Sequence, residues 1–310
     1  LADRIGSQAI GERHRSRIGT VRTCPPWATG RRVAEMEVLV EPVEAVRPSR
    51  HAWLREAAII LGFYYVYQTI RSLADHPGVT TRAYANARSL VGWERGLFIF
   101  HEQAIQQAFL GAAWFIKLMN IYYGTLHFVI TIGLLVWMYT KRHHAYRAMR
   151  NLLGLSTALA LVGYWSFPLA PPRLYKCNDN IPVPGPDGLS IGKCFVDTLD
   201  RFGGLWSYHS PIAKAVANQY AAMPSLHFGW ALWCAIVVVR HARHRGVKAL
   251  GLLYPVLTLF AIVVTANHYI LDAAGGAIIV VAASWLLRSV ERRRDRRSVA
   301  SAEADPVPSA

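Results

Sequence analysis

Six stretches of the chain, roughly 53–70, 118–139, 152–169, 223–239, 249–266 and 269–287, are almost wholly apolar and about as long as a bilayer-crossing helix. Crossing hydrocarbon takes about 20 mostly apolar residues, with about 17 as a lower bound. Lipid offers no partner for backbone N–H and C=O groups, so each crossing segment must satisfy its own as a helix. A water-soluble core can bury one or two such helices, but six leave no polar exterior. Composition agrees, with 53% of 310 residues hydrophobic and 17% charged. The sequence therefore predicts an all-α integral membrane protein, a six-helix bundle. The first stretch is the least regular, because Arg55 and Glu56 stand at its start, and the sixth carries Asp272.

The formal net charge of +15 is unevenly placed. Dense basic clusters follow the second stretch ("KRHHAYRAMR"), the fourth ("RHARHRGVK") and the sixth ("RSVERRRDRR"), and ten Arg lie in 1–55. Lys and Arg of short loops gather on the cytoplasmic side. Six spans satisfy all four clusters with both termini cytoplasmic. Three regions follow. Residues 1–52 form a basic arm rich in Arg, Pro and Gly, expected to be disordered and able to meet anionic headgroups. Residues 53–287 form the membrane domain, and 288–310 a basic tail expected to be disordered. The arm has no sustained apolar run, so no cleavable signal peptide is expected; the chain opens on Leu1, which makes Met36 a candidate start. The excess of Arg over Lys, 28 against 6, points to a GC-rich genome and a bacterial plasma membrane. No nucleic-acid partner is expected.

Between the first and second spans, 81–110 repeats apolar residues at three- and four-residue steps, predicting amphipathic helix along the outer surface, bent or broken at Gly92 and Gly96. Glu94, His101 and Glu102 are expected on its solvated face, with a substrate-facing role as the alternative. Cys177 and Cys194 bracket an outer loop rich in Pro, Gly and Asn, where either a disulfide or two free thiols is expected. Cys24 and Cys234 suggest no function.

Three polar features then fall on one side of the membrane: Arg173 after the third span, "PSLH" at the start of the fourth, and "HYILD" at the start of the sixth. Each suits phosphate. A helix N-terminus presents unpaired N–H groups and a positive dipole end. Ser225 adds a hydroxyl, and Arg173 a guanidinium that can bind two phosphate oxygens. His268 and Asp272 are four apart, on one helical face. A carboxylate that accepts one imidazole N–H leaves the other nitrogen a better nucleophile. His227 can then protonate a leaving oxygen. Taken singly, each residue has an ordinary reading as an interfacial or internally bonded group. Asp272 is the hardest to dismiss, because carboxylates inside spans are costly and usually functional. His127 lies deep in the second span, and either bonds a neighbouring helix or lines the site. Asp197 and Arg201, in the outer loop, are candidates for contact with an acceptor headgroup. No metal or other cofactor is expected, since the histidines lack the spacing of zinc ligands.

Arg, then P-S-x-H, then H-x-x-x-D across six spans resembles the type 2 phosphatidic acid phosphatase superfamily. The resemblance covers roughly 53–287. It implies a phosphohistidine mechanism with His268 as nucleophile, Asp272 as its orienting partner and His227 as proton donor, while Arg173, Ser225 and backbone N–H groups hold the phosphoryl oxygens. The phosphatases of the family usually carry K-x6-R-P, P-S-G-H and S-R-x5-H-x3-D. This chain departs from that pattern: Ser166 stands where the lysine falls, Leu174 replaces the proline, Leu226 the glycine, and Ile262 the arginine six before His268. "MPSLHFG" and "NHYILD" are closer in style to the inositol phosphorylceramide synthase and sphingomyelin synthase branch.

A phosphomonoester carries almost two negative charges near neutral pH. A phosphodiester carries one, which suits a site with a single arginine. The expected activity is transfer of a phospho-headgroup from a phospholipid such as phosphatidylinositol to a lipid or polyol hydroxyl. The alternatives are hydrolysis of a lipid phosphate with water as acceptor, and anion transport without chemistry.

Overall fold

The computed structural model describes residues 52–73, 78–178, 181–182, 184–185, 188–205 and 219–304. The chain divides into two units, Leu1–Arg50 and His51–Ala310. The expected basic arm lies outside the described residues, and everything described belongs to the second unit.

Among the described residues the regular structure is helical, apart from a two-residue antiparallel ladder between β1 (Cys177–Asn178) and β2 (Ile181–Pro182). The first half holds α1 (Ala52–Leu73), α2 (Val79–Gly96), α3 (Glu102–Phe109), α4 (Ala113–Ile121), α5 (His127–Lys141) and α6 (His143–Ser166). After these come a 3-10 turn at Pro172–Leu174, then α7 (Thr198–Phe202), α8 (Leu226–His241), α9 (Arg245–Val264) and α10 (Ile270–Ala304). A π-helical turn, Tyr122–Leu126, joins α4 to α5.

Every one of the six apolar stretches is helical. Among the described residues, three helical runs are both long and apolar enough to cross a membrane: Ala113–Lys141, Arg245–Val264 and Ile270–Ser298. The expectation of six spanning helices thus narrows to three candidates. Helix α8 is apolar but shorter. Helices α1 and α6 are long enough, at 22 and 24 residues, but Arg55, Glu56 and Arg71 in one and Arg147 and Arg150 in the other shorten their apolar runs. Two of these charges meet: Arg150 donates to Glu56, tying α6 to α1. Within the tail expected to be disordered, α10 continues to Ala304, and 305–310 lie outside the described residues. Its "RSVERRRDRR" segment is rich in good helix formers, and a long helix already nucleated in the bundle extends through them at little cost.

The outside of the bundle is apolar. Ile132 on α5, Leu250 and Val256 on α9, and Ile278 and Val281 on α10 are each more than half exposed. So many large apolar side chains exposed together have no place in water and suit lipid. The interior is tightly filled: Trp233 is fully buried, and its indole N–H donates to the Met149 carbonyl at 2.8 Å.

Helix α8 packs against both α9 and α10. Where α8 crosses α10 the backbones nearly touch: a Cβ on Gly276 would lie 2.2 Å from the Ser225 carbonyl oxygen, and one on Gly229 would lie 3.2 Å from the Gly276 oxygen. Only hydrogen at position 276 lets the two helix starts approach this closely. Gly276→Ala is therefore expected to push α8 from α10 and destabilise the protein by about 1–3 kcal/mol, the usual cost of overpacking. Thermal unfolding in detergent checks this against Gly62→Ala, where the added carbon meets nothing within 4 Å. Equal behaviour of the two variants would contradict the close approach.

Candidate active site

The start of α10 is built by a tight reversal. Helix α9 ends at Val264, Ala266 adopts a left-handed φ of 54°, and the N–H groups of Asn267 and His268 both return to the Ile262 carbonyl, at 3.0 and 3.2 Å. Asn267 pins the turn through Thr265 Oγ1 at 2.9 Å. In the first turn of α10, Asp272 Oδ2 accepts from His268 Nδ1 at 3.1 Å and from the Tyr269 N–H at 3.1 Å. Asp272 is fully buried and His268 nearly so. A carboxylate accepting at Nδ1 places the proton there and leaves Nε2 with its lone pair.

The other two features are stitched to this turn by backbone. The Ser225 N–H donates to the Asp272 carbonyl at 2.8 Å, and the Arg173 N–H to the Ala266 carbonyl at 2.8 Å. Ser225 caps α8, its hydroxyl oxygen accepting from the Phe228 N–H at 3.4 Å. His227 follows in the first turn of α8, its ring centroid 5.5 Å from that of His268. Three positions far apart in sequence thus meet around one imidazole pair.

Arg173 is buried and pairs with Asp197, Nη1 to Oδ2 at 3.5 Å. Asp197 also caps α7 by accepting from the Asp200 N–H. Asn120 holds the same short helix, donating to the Thr198 and Gly203 carbonyls at 2.9 Å each. Arg201 is exposed and lies over the Phe202 ring, outside this group. His127 Nδ1 meets the Tyr254 hydroxyl on α9 at 2.9 Å, and its ring lies 5.2 Å from that of His227. Cys194 is disulfide-bonded, while the side chain of Cys177 lies outside the described residues.

Glu94 and Glu102 correct an expectation. Both are fully buried instead of forming a solvated face. Glu94 Oε1 accepts from the Leu271 N–H at 2.8 Å and Glu102 Oε1 from the Ile270 N–H at 3.0 Å. The spacing of apolar residues assigns Tyr123 no role in the site. Tyr123 stacks on His227 at 4.2 Å and meets His268 edge-on at 6.5 Å. It sits in the π-helical turn, and such turns gather at functional sites.

The family model described as PAP2 superfamily matches residues 88–286. The chain belongs to the PAP2 superfamily. The match contains Arg173, Ser225, His227, His268 and Asp272, and its end falls close to the expected limit of the membrane domain. Comparison with curated proteins and with solved structures finds no match. PAP2 superfamily members are phosphatases and phosphotransferases, so this is a membrane enzyme acting on phosphate esters.

Proposed function

We propose that this PAP2 superfamily enzyme transfers a phospho-headgroup from a phosphatidylinositol-like phosphodiester to a lipid or polyol hydroxyl, in the manner of the inositol phosphorylceramide synthase and sphingomyelin synthase branch. The observation that carries the reading is the contact of His268 Nδ1 with the buried Asp272, beside the His227 ring. His268 Nε2 attacks phosphorus and the bond to the lipid alkoxide breaks, with His227 giving that oxygen its proton. The acceptor hydroxyl then passes its proton to His227 and attacks the phosphohistidine, releasing His268. Arg173, Ser225 and the first N–H groups of α8 hold the non-bridging oxygens.

The diester is favoured by weak positive charge. Arg173 is already paired with Asp197, Ile262 is buried within α9, and the Ser166 hydroxyl donates to the Val162 carbonyl at 2.7 Å. Neither of the last two can supply the charge that a dianionic monoester needs. The basic clusters support six crossings, both termini in the cytoplasm and the site facing outward, including toward a bacterial periplasm.

The test is a vesicle assay with labelled phosphatidylinositol, with and without candidate acceptor alcohols. Acceptor-dependent formation of a new phosphodiester supports transfer. Release of free headgroup phosphate alone, unchanged by any acceptor, replaces it with hydrolysis. Uptake of anion without turnover indicates a transporter.

A further inference from the structure

The first turn of α10 is gripped from outside its own helix. Three successive N–H groups, of Tyr269, Ile270 and Leu271, go to three carboxyl groups: Asp272, Glu102 and Glu94. The first four N–H groups of a helix have no partner within it. Here two of them are held by side chains contributed by α2 and α3, far away in sequence. All three carboxyl groups are fully buried. Glu94 Oε2 and Glu102 Oε2 are buried as well, and neither meets a hydrogen-bond donor in the structure. Two neighbouring carboxyl groups with donorless inner oxygens cannot both be ionised out of water. One proton between them satisfies both.

We propose that Glu94 and Glu102 share one proton and act as positioning residues, holding the start of α10 so that His268 and Asp272 are fixed for reaction. The proposal rests on the phosphohistidine reading above. Neither glutamate reaches the reacting atoms; each acts through the helix. Electrostatics agree with the geometry: burial, helped by the neighbouring Glu102, pushes the Glu94 carboxyl up to about 9. The titratable groups facing the pair are Asp272 and Tyr269, with His268 beyond Asp272 and Tyr175 beyond Tyr269. On α2 itself, Arg95 turns away to the Ile191 carbonyl and over the Phe100 ring.

The sign of the pH effect follows. A carboxyl whose folded value is raised from 4.5 to about 9 gives its full stability below 4.5 and loses it as pH climbs through about 9. Glu94→Gln removes that loss. Its amide oxygen can keep the Leu271 N–H, and its NH2 can donate to Glu102 in place of the shared proton. Glu94→Ala leaves the Leu271 N–H buried and unpaired.

The experiment measures kcat, KM and their pH profiles in vesicles for Glu94→Gln and Glu94→Ala, with the rate of diethyl pyrocarbonate modification of His268 as a readout independent of turnover. The Gln variant is expected to keep kcat within about threefold at neutral pH. It should also lose the alkaline decline expected of the wild type toward pH 9. The Ala variant should lose about tenfold or more in kcat with little change in KM, the pattern of lost alignment, and its His268 modification rate should change. If Ala does not fold, the Gln pH profile still decides. Loss by Gln as large as loss by Ala, or an unchanged alkaline decline in Gln, overturns the shared proton. Wild-type kcat and His268 reactivity in the Ala variant overturn the positioning role. Absence of any transfer by the wild type counts against the function alone, because the modification rates still test the grip on α10.

Discussion

His268→Ala is expected to lower headgroup transfer by on the order of 10⁴-fold or more, because a covalent route has no substitute for its nucleophile. The imidazole is nearly buried, is oriented by a hydrogen bond at Nδ1, and stands 5.5 Å, ring to ring, from the His227 imidazole. Removing it also takes one of the two donors from Asp272 Oδ2, leaving the Tyr269 N–H. The fold should therefore weaken by about 1–3 kcal/mol, the cost of depriving a buried acceptor of a partner. Turnover at constant protein content separates the two effects. A loss of less than tenfold means that another group attacks phosphorus.

Asp272→Asn should be the next most damaging change, with kcat down by about 10²–10⁴-fold and KM little altered. Asparagine can keep its oxygen where Oδ2 accepts from His268 and Tyr269, so the geometry survives. What disappears is the negative charge opposite an imidazole that becomes cationic when phosphorus bonds to Nε2. The amide nitrogen would stand where Oδ1 now lies, buried and without a hydrogen-bond partner. It therefore gains no assured compensation. A large rise in KM with unchanged kcat would move Asp272 from supporting the nucleophile to binding substrate.

The apolar runs announced the helices because hydrophobic length is a local property. Convergence of Arg173, the start of α8 and the start of α10 was also legible, since position along a span sets depth in the membrane. Packing between elements was not. Glu94 and Glu102 read as a solvated face because charged residues on an amphipathic helix usually meet water. Their burial depends on N–H groups 168 and 177 residues later in the chain. Tyr123 reached His227 through a π-helical turn that hydrophobic spacing does not reveal. The helical tail to Ala304 reflects propagation from the bundle, where charge alone suggested disorder. Gly276 carries no signal until the Ser225 carbonyl is placed against it.

The most direct measurement is a covalent trap. The enzyme in vesicles is mixed with phosphatidylinositol labelled at phosphorus, without acceptor, quenched in alkali and mapped by mass spectrometry of its peptides. Label on His268 is expected in the wild type, at a lower rate of formation in Asp272→Asn, and not at all in His268→Ala. Label on a different residue, or normal product formation by His268→Ala with no label anywhere, would contradict the account.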